Sequence, residues 1–178
     1  MRVKLQLVMC DDDGQEETVT DVVTLKKDHR RLEHLGLTLA EAKQLLNTIQ
    51  HRVLQRHVDT FLDACSTCQD CGTSLKVKGD HTRSFRTLFG TFKLSSPRLF
   101  HCPCRRRKIT SFRPLSLLLT ESVAPELLLM ETKWASLVSY GLTVDALTDF
   151  LPLEVTLNVK TVRHDTLKVA ERCEAELC

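Results

Sequence analysis

Four cysteines in two close pairs have the residue type and spacing that could bind a metal ion. Cys68 and Cys71 are followed by Gly72, and Cys102 and Cys104 come later in the chain. A Cys-x-x-Cys turn brings two sulfurs together, and the glycine lets backbone amides fold over the thiolates. A second pair from the far end of a small sheet would complete a tetrahedral site. The pattern predicts a structural Zn²⁺ in a zinc-ribbon-like module, because four thiolates leave no position open for water.

The ligand set has alternatives, since the second pair is Cys-x-Cys rather than Cys-x-x-Cys. Cys65 lies three residues before Cys68, and His101 directly precedes Cys102. Either side chain could replace one of the four ligands. The competing interpretation is a cluster of reduced cysteines in a small core without metal.

Charge is strongly segregated along the chain, although the net charge is only +2. Residues 1–75 carry 9 basic and 12 acidic side chains, residues 76–120 carry 11 and 1, and residues 121–178 carry 5 and 10. A cationic segment beside a metal-binding turn favours a polyanionic partner, because each Lys or Arg that meets a phosphate releases counterions. The alternative is a solvated face that keeps a small domain soluble.

The cationic segment supplies candidate phosphate contacts for such a polyanion. They are Arg83, Arg86, Arg105, Arg106, Arg107 and Lys108. Phenylalanines lie among these cations and could stack on bases, but they alternate as core residues do, which favours a core role. We predict short strands over residues 75–78, 83–94 and 98–100, with breaks at Gly79, at Gly90 and at Ser95-Ser96-Pro97.

The segment before the cysteines predicts a hairpin followed by a long helix. Residues 2–9 and 18–25 alternate in hydropathy around an Asp-Gly connection. Thr38 and Glu41 have the spacing of a capping box, and the helix that they begin could run for about 25 residues.

The segment after the cysteines predicts three helices and a helix-turn-helix-like unit. The helices are expected over residues 123–140, over residues 144–151 with Thr143 as N-cap, and from Asn158 onward. Residues 152–157 make a longer turn than the strict motif has. The first turns of the last helix carry polar side chains that could contact bases or phosphates. They are Lys160, Thr161, Arg163 and His164.

The chain is therefore expected to be α+β, with parts at residues 1–66, 67–116 and 117–178. No apolar run approaches the roughly 20 residues of a membrane span, and residues 1–4 begin an alternating pattern instead of a signal-peptide core. We expect a cytoplasmic, nucleoid-associated protein with no membrane partner and no small-molecule substrate.

Several motifs resemble the N-terminal region of bacterial ISKra-type insertion-sequence transposases. They read LGLTLAEAK at 35–43, RTLFG at 86–90, SPRLFHCPC at 96–104, FRPL at 112–115, PELL at 125–128 and ETKWASLVSYGLT at 131–143, with further similarity over 151–172. The resemblance covers nearly the whole chain in order. It implies a zinc-binding, DNA-contacting region and a helix-turn-helix that recognises terminal inverted repeats.

The family's RNase H-like catalytic domain lies beyond the matched stretch, so we expect this chain to bind DNA without cutting or joining it. Such a domain needs three carboxylates around two metal ions. The alternative function is a protein interaction module, in which the long helix forms homo-oligomers or joins full-length transposase and inhibits it.

Overall fold

The chain has a mixed α+β structure, as the sequence predicts. A computed structural model describes residues 1–10, 13–28, 30–104, 111–153 and 157–177, without the side chains of residues 16 and 17. These residues form two small antiparallel sheets and five α-helices. The chain divides into two compact units, Met1–Arg52 and Val53–Cys178, and the predicted division into three parts stays a prediction. None of the described helices combines the length and the apolar character that crossing a bilayer requires.

The first unit contains the predicted hairpin and the start of the long helix. Strand β1 (Arg2–Cys10) pairs antiparallel with β2 (Glu16–Lys26), and the alternating side chains of β1 are exposed and half-buried in turn. Helix α1 (Leu39–Cys65) begins with the predicted capping box. The Thr38 amide donates to Glu41 Oε2 over 2.8 Å, and the Glu41 amide donates to Thr38 Oγ1 over 3.2 Å.

The second unit is built on a three-stranded sheet in the order β3-β4-β5. Strands β3 (Val77–Thr87) and β4 (Gly90–Phe100) form a long hairpin, and β5 (Ser111–Phe112) pairs with the end of β4. Val58 of α1 packs with Phe92 and Leu94 of β4 and with Leu115 of the short helix α2 (Leu115–Leu118). Phe85 lies opposite Phe92 and joins this cluster, which confirms the predicted core role of these two phenylalanines.

The two strands of this hairpin are longer than predicted, because neither Gly79 nor Ser95-Ser96-Pro97 interrupts them. Gly79 lies at a register shift in β3, where the ladder absorbs an extra residue. Pro97 pairs with Asp80 of β3, while β5 reaches β4 only at Leu99 and Phe100. One edge of β4 at Pro97 thus has no ladder partner among the described residues, and a residue without an N–H is tolerated there.

Three helices complete the second unit, with boundaries that partly correct the prediction. Helix α3 (Pro125–Ala135) ends before residue 140, and α4 (Tyr140–Phe150) begins earlier than residue 144. The N-cap of α4 is Ser139, which accepts from the Leu142 amide over 3.4 Å. Thr143 is instead buried inside α4. The correction has a local cause, because serine side chains compete for backbone groups and favour helix ends.

Helix α5 (Val159–Leu177) begins where predicted, after Asn158. The side chain of Asn158 accepts from the Thr161 amide over 3.0 Å and so caps the helix. Val162 of α5 packs with Leu147 of α4 and with Leu157 in a buried apolar cluster. A second cluster joins α3 to the segment that precedes it through Val123, Leu127 and Leu128.

Candidate functional site

The first cysteine pair lies on a tight turn that directly follows α1. The Gly72 amide donates to the Cys68 carbonyl over 2.8 Å, and the Cys68 amide donates to the Thr73 carbonyl over 2.9 Å. Gly72 has φ +69°, a conformation that glycine adopts without strain. The turn has the geometry that the Cys-x-x-Cys-Gly pattern predicts.

The second pair directly follows β4 and reaches the same end of the hairpin. The Phe100 amide donates to the Lys76 carbonyl over 2.9 Å, which fixes the end of β4 beside the chain that enters β3. Cys102 and Cys104 come immediately after this bond. The long hairpin thus returns the chain to the first cysteine pair.

The four predicted cysteines converge, with all four sulfurs within 4.8 Å of one another. The Sγ atoms of Cys68 and Cys104 are 3.5 Å apart, and those of Cys71 and Cys102 are 3.4 Å apart. A tetrahedral ion held at about 2.3 Å from each thiolate needs sulfurs about 3.8 Å apart. The cluster therefore fits a metal ion, and all four cysteines are free thiols.

Neither alternative ligand belongs to the converging group. The His101 ring stacks on Phe112, with ring centroids 4.8 Å apart and an interplanar angle of 22°. Cys65 is half-buried, and burial raises the pKa of its thiol. Both residues line a cavity of about 560 Å³ beside the cluster. The described structure thus favours Cys68, Cys71, Cys102 and Cys104 as the ligand set.

The surroundings of the first pair stabilise thiolates. The backbone amides of Asp70 and Cys71 donate to the Cys68 sulfur and lower its pKa. The Thr73 side chain and amide lower the pKa of Cys71 to about 6. The pKa of Cys104 is raised, first by the Cys102 sulfur and then by that of Cys68. Crowding four sulfurs opposes full deprotonation, and a bound cation would relieve that opposition.

The predicted DNA contacts have different environments. On α5, Lys160, Arg163 and His164 are exposed, whereas the Thr161 hydroxyl lies 3.2 Å from the Asn158 side chain. Arg83 is half-buried and lies opposite Leu94 in the ladder. The remaining predicted contacts, Arg105, Arg106, Arg107 and Lys108, lie outside the described residues.

Arg86 is engaged inside the second unit, in a group that we call the Arg86 triad (Arg86, Glu131 and Asp165). Its Nη2 donates to Asp165 of α5, and its Nη1 lies 3.4 Å from Glu131 Oε1 of α3. The side chains of Glu131 and Asp165 are 0% and 8% exposed. Because the guanidinium of Arg86 is engaged by both carboxylates, we do not propose Arg86 as a DNA contact.

One face of α5 is therefore directed inward by ion pairs that sequence reasoning missed. Asp165 contacts Arg86, while Lys168 and Arg172 contact Glu121, the former over 3.1 Å. Residues 165, 168 and 172 lie on one helical face, three to four residues apart. No local sequence pattern indicates ion-pair partners that lie so far apart in the chain. Only the spacing of residues 165, 168 and 172 on α5 is visible in the sequence itself.

The chain was compared with protein-family models, with curated proteins and with solved structures. None of the three comparisons gives a match. The resemblance to ISKra-type transposases therefore stays a prediction.

Proposed function

We propose that this chain is a zinc-stabilised DNA-binding module, of the kind that ISKra-type transposases use to recognise the terminal inverted repeats of their element. The observation that carries the proposal is the exposed cationic start of α5, where Lys160, Arg163 and His164 lie together. Val162 behind this start is fully buried, and Asp165 and Lys168 form ion pairs within the same unit. A helix that is packed on one side and leaves basic side chains exposed at its start is suited to a DNA groove.

Zn²⁺ is the metal that the cysteine cluster would bind. Thiolates are soft ligands, and four of them in a tetrahedral arrangement favour zinc or an iron–sulfur centre over hard cations. Gly72 and the amides around Cys68 form the turn expected of a zinc ligand pair. The proposed role is structural, because the four sulfurs fill the coordination sphere and Zn²⁺ then joins the ends of the hairpin.

Helices α3, α4 and α5 would provide the helix-turn-helix-like reader. Residues 151–158 connect α4 to α5, a longer link than in the strict motif. In this arrangement Lys160, Arg163 and His164 contact bases and phosphates. The acidic side chains of α5, such as Glu171 and Glu174, come later, where the helix leaves the duplex.

The basic hairpin would add phosphate contacts. Lys76, Lys78 and Lys93 are exposed on it, and Lys78 Nζ lies 5.4 Å from the centroid of the Phe100 ring. The segment 105–108 remains a predicted phosphate contact. The proposal assigns DNA binding, not cleavage, to these residues.

The test is binding to fluorescent duplexes over a salt series. One duplex carries an ISKra-type terminal repeat, and the other has the same composition in scrambled order. With three to five phosphate contacts, log affinity should fall with log salt with a slope of about −3 to −5. The repeat should bind more tightly at about 0.15 M salt. A slope near zero would refute DNA binding, and equal affinity for the two duplexes would refute end recognition.

A matched pair of lysine variants localises the contact. Lys160 and Lys133 are both exposed on helices of the second unit, on α5 and α3. Lys160→Ala should reduce the salt slope by about 1, whereas Lys133→Ala should leave it unchanged. Equal effects would show that α5 is not the reader.

A second candidate function, self-association through the first unit, is favoured by one observation. In the described part of this unit only Leu25 is buried, while Leu32 and Leu35 are 83% and 79% exposed. A two-stranded sheet of this kind has little core of its own. Sedimentation equilibrium at rising concentration tests the idea, because association through apolar contacts should persist at high salt, where DNA binding is lost.

A further inference from the structure

Arg86 is the residue through which β3 meets both α3 and α5. Its amide donates to the Ser122 carbonyl, and its carbonyl accepts from the Ala124 amide, each over 2.8 Å. These bonds form an isolated parallel bridge with Val123, just before α3 begins. Its side chain then reaches Glu131 of α3 and Asp165 of α5. Backbone and side chain of one residue thus join the hairpin to the helices.

The charges of the Arg86 triad do not balance. One guanidinium faces two carboxylates, which leaves one excess negative charge when both are ionised, in a site where both acids are buried. Asp165 has the shorter contact with Arg86. Glu131 has the longer one, and among the described residues its Oε2 has no hydrogen-bond partner. An uncompensated buried charge is costly, and binding a proton removes that cost.

We propose that the Arg86 triad is a proton-linked latch, an ion-pair contact that holds α5 against β3 most firmly when Glu131 carries a proton. Protonated Glu131 leaves the guanidinium to Asp165, so that one cation faces one anion. Ionised Glu131 competes for the same guanidinium and repels Asp165. The contact between β3 and α5 then weakens.

Charged side chains from two other elements face Glu131, the group that would take the proton. Arg86 faces it from β3, and Asp165 faces it from α5. Helix α4 carries Asp145 and Asp149 at exposed positions, and its half-buried Tyr140 packs in the cluster around Leu147.

A cleft of about 370 Å³ borders the triad. Its other charged or titratable lining residues are Glu121, Lys160, His164 and Lys168. Glu121 and Lys168 pair with each other. His164 also lines this cleft, so it requires its own control in the pH experiment.

The sign of the pH effect follows from the pKa of Glu131. Burial raises this pKa to about 7, with a further upward contribution from Asp165, while Arg86 opposes the shift. In the unfolded chain the group titrates near 4.5. The folded state therefore binds the extra proton, and stability present below pH 4.5 is lost as the pH rises through about 7.

The experiment measures urea unfolding of the full chain between pH 4.5 and 8.5, in wild type and in Glu131→Gln. The wild-type folding equilibrium constant should fall by up to about tenfold per pH unit between pH 4.5 and 7, relative to the variant. Glutamine has the shape of the protonated acid and cannot ionise. The variant should therefore equal or exceed wild type in stability at pH 8.

Two further variants keep the test decisive. Asp165→Asn removes the carboxylate that repels ionised Glu131, so the triad's pH dependence should become smaller in this variant, while the contribution from burial remains. His164→Asn should retain the wild-type dependence. Equal pH slopes in wild type, Glu131→Gln and Asp165→Asn would overturn the latch, as would loss of the dependence in His164→Asn alone.

The consequence for DNA depends on the proposed function, whereas the latch itself does not. If α5 reads DNA, wild-type affinity should fall more between pH 6 and 8 than that of Glu131→Gln. A difference in unfolding slopes without DNA binding by either protein would support the latch and refute the proposed function. Identical pH slopes of unfolding together with specific DNA binding would refute the latch and support the proposed function.

Discussion

The two ends of the β3–β4 hairpin differ in the polar groups that they bring together. At the open end, where β3 begins and β4 ends, four thiols converge on a space that fits a cation. Near the turn, one cation, Arg86, is already built into the chain and faces two acids. The first end gathers four groups that a cation could neutralise, and the second has one carboxylate more than its cation can balance. We therefore expect the stability of the hairpin to depend on metal at the first end and on protons at the second.

The largest effect is expected from removing one thiol at the open end. Zinc bound by such sites can contribute roughly 10 kcal/mol to folding, so Cys71→Ser should lose the metal and several kcal/mol of stability. Metal content and urea unfolding would measure this. Cys10→Ser is the control, because Cys10 is also exposed and lies outside the cluster. If both variants keep one zinc ion and wild-type stability, the cluster is not a structural metal site.

The next largest effect is expected at the other end, from Arg86→Met. Methionine cannot neutralise the two buried acids, and removing one partner of a buried ion pair costs about 3–5 kcal/mol. Lys93→Met is the control on the exposed part of the same hairpin. Urea unfolding at pH 7 distinguishes the two variants. Equal stability of both would mean that Arg86 contributes no more than a surface cation.

The two ends also differ in how far the sequence predicts them. The cysteine spacing, Gly72 and the capping box of Thr38 and Glu41 are local patterns, and each predicts a geometry that is present. The Cys68–Gly72 turn and the capping box each depend on a few consecutive residues, whereas the approach of the two cysteine pairs also requires the β3–β4 hairpin between them. The four cysteines that lie together could thus be anticipated from the sequence, and the metal that they would bind stays a prediction.

The Arg86 triad could not be anticipated, because its members belong to three elements far apart in the chain. From the sequence alone, a basic residue in a basic segment is predicted to contact phosphate. Only the packing of α3 and α5 brings Glu131 and Asp165 to Arg86. The continuation of β4 through Pro97 could not be predicted for the same reason. Whether a proline is tolerated there depends on which strand edges are paired, and that is decided by tertiary structure.

A smaller effect is expected from the backbone of the cysteine turn. Gly72→Ala places a Cβ at φ +69°, where it meets nothing within 4 Å, so only backbone strain of about 1 kcal/mol is expected. Gly141→Ala is the matched control, since its Cβ also meets open space but lies within α4 at an ordinary φ. It should stabilise the helix by about 0.5 kcal/mol. Urea unfolding of the metal-loaded proteins should show opposite signs, and equal signs would exclude strain at Gly72.

The smallest effect on stability is expected from Arg163→Met, the exposed counterpart of the change at Arg86. Arg163 is exposed on α5, so its loss should change the unfolding free energy by less than about 0.5 kcal/mol. On DNA the order of the two arginines should reverse. Arg163→Met should reduce the salt slope of binding by about 1, because one phosphate or base contact is lost. The same salt slope in the variant and in wild type would mean that Arg163 does not contact DNA. The proposed DNA contacts of α5 would then be limited to Lys160 and His164.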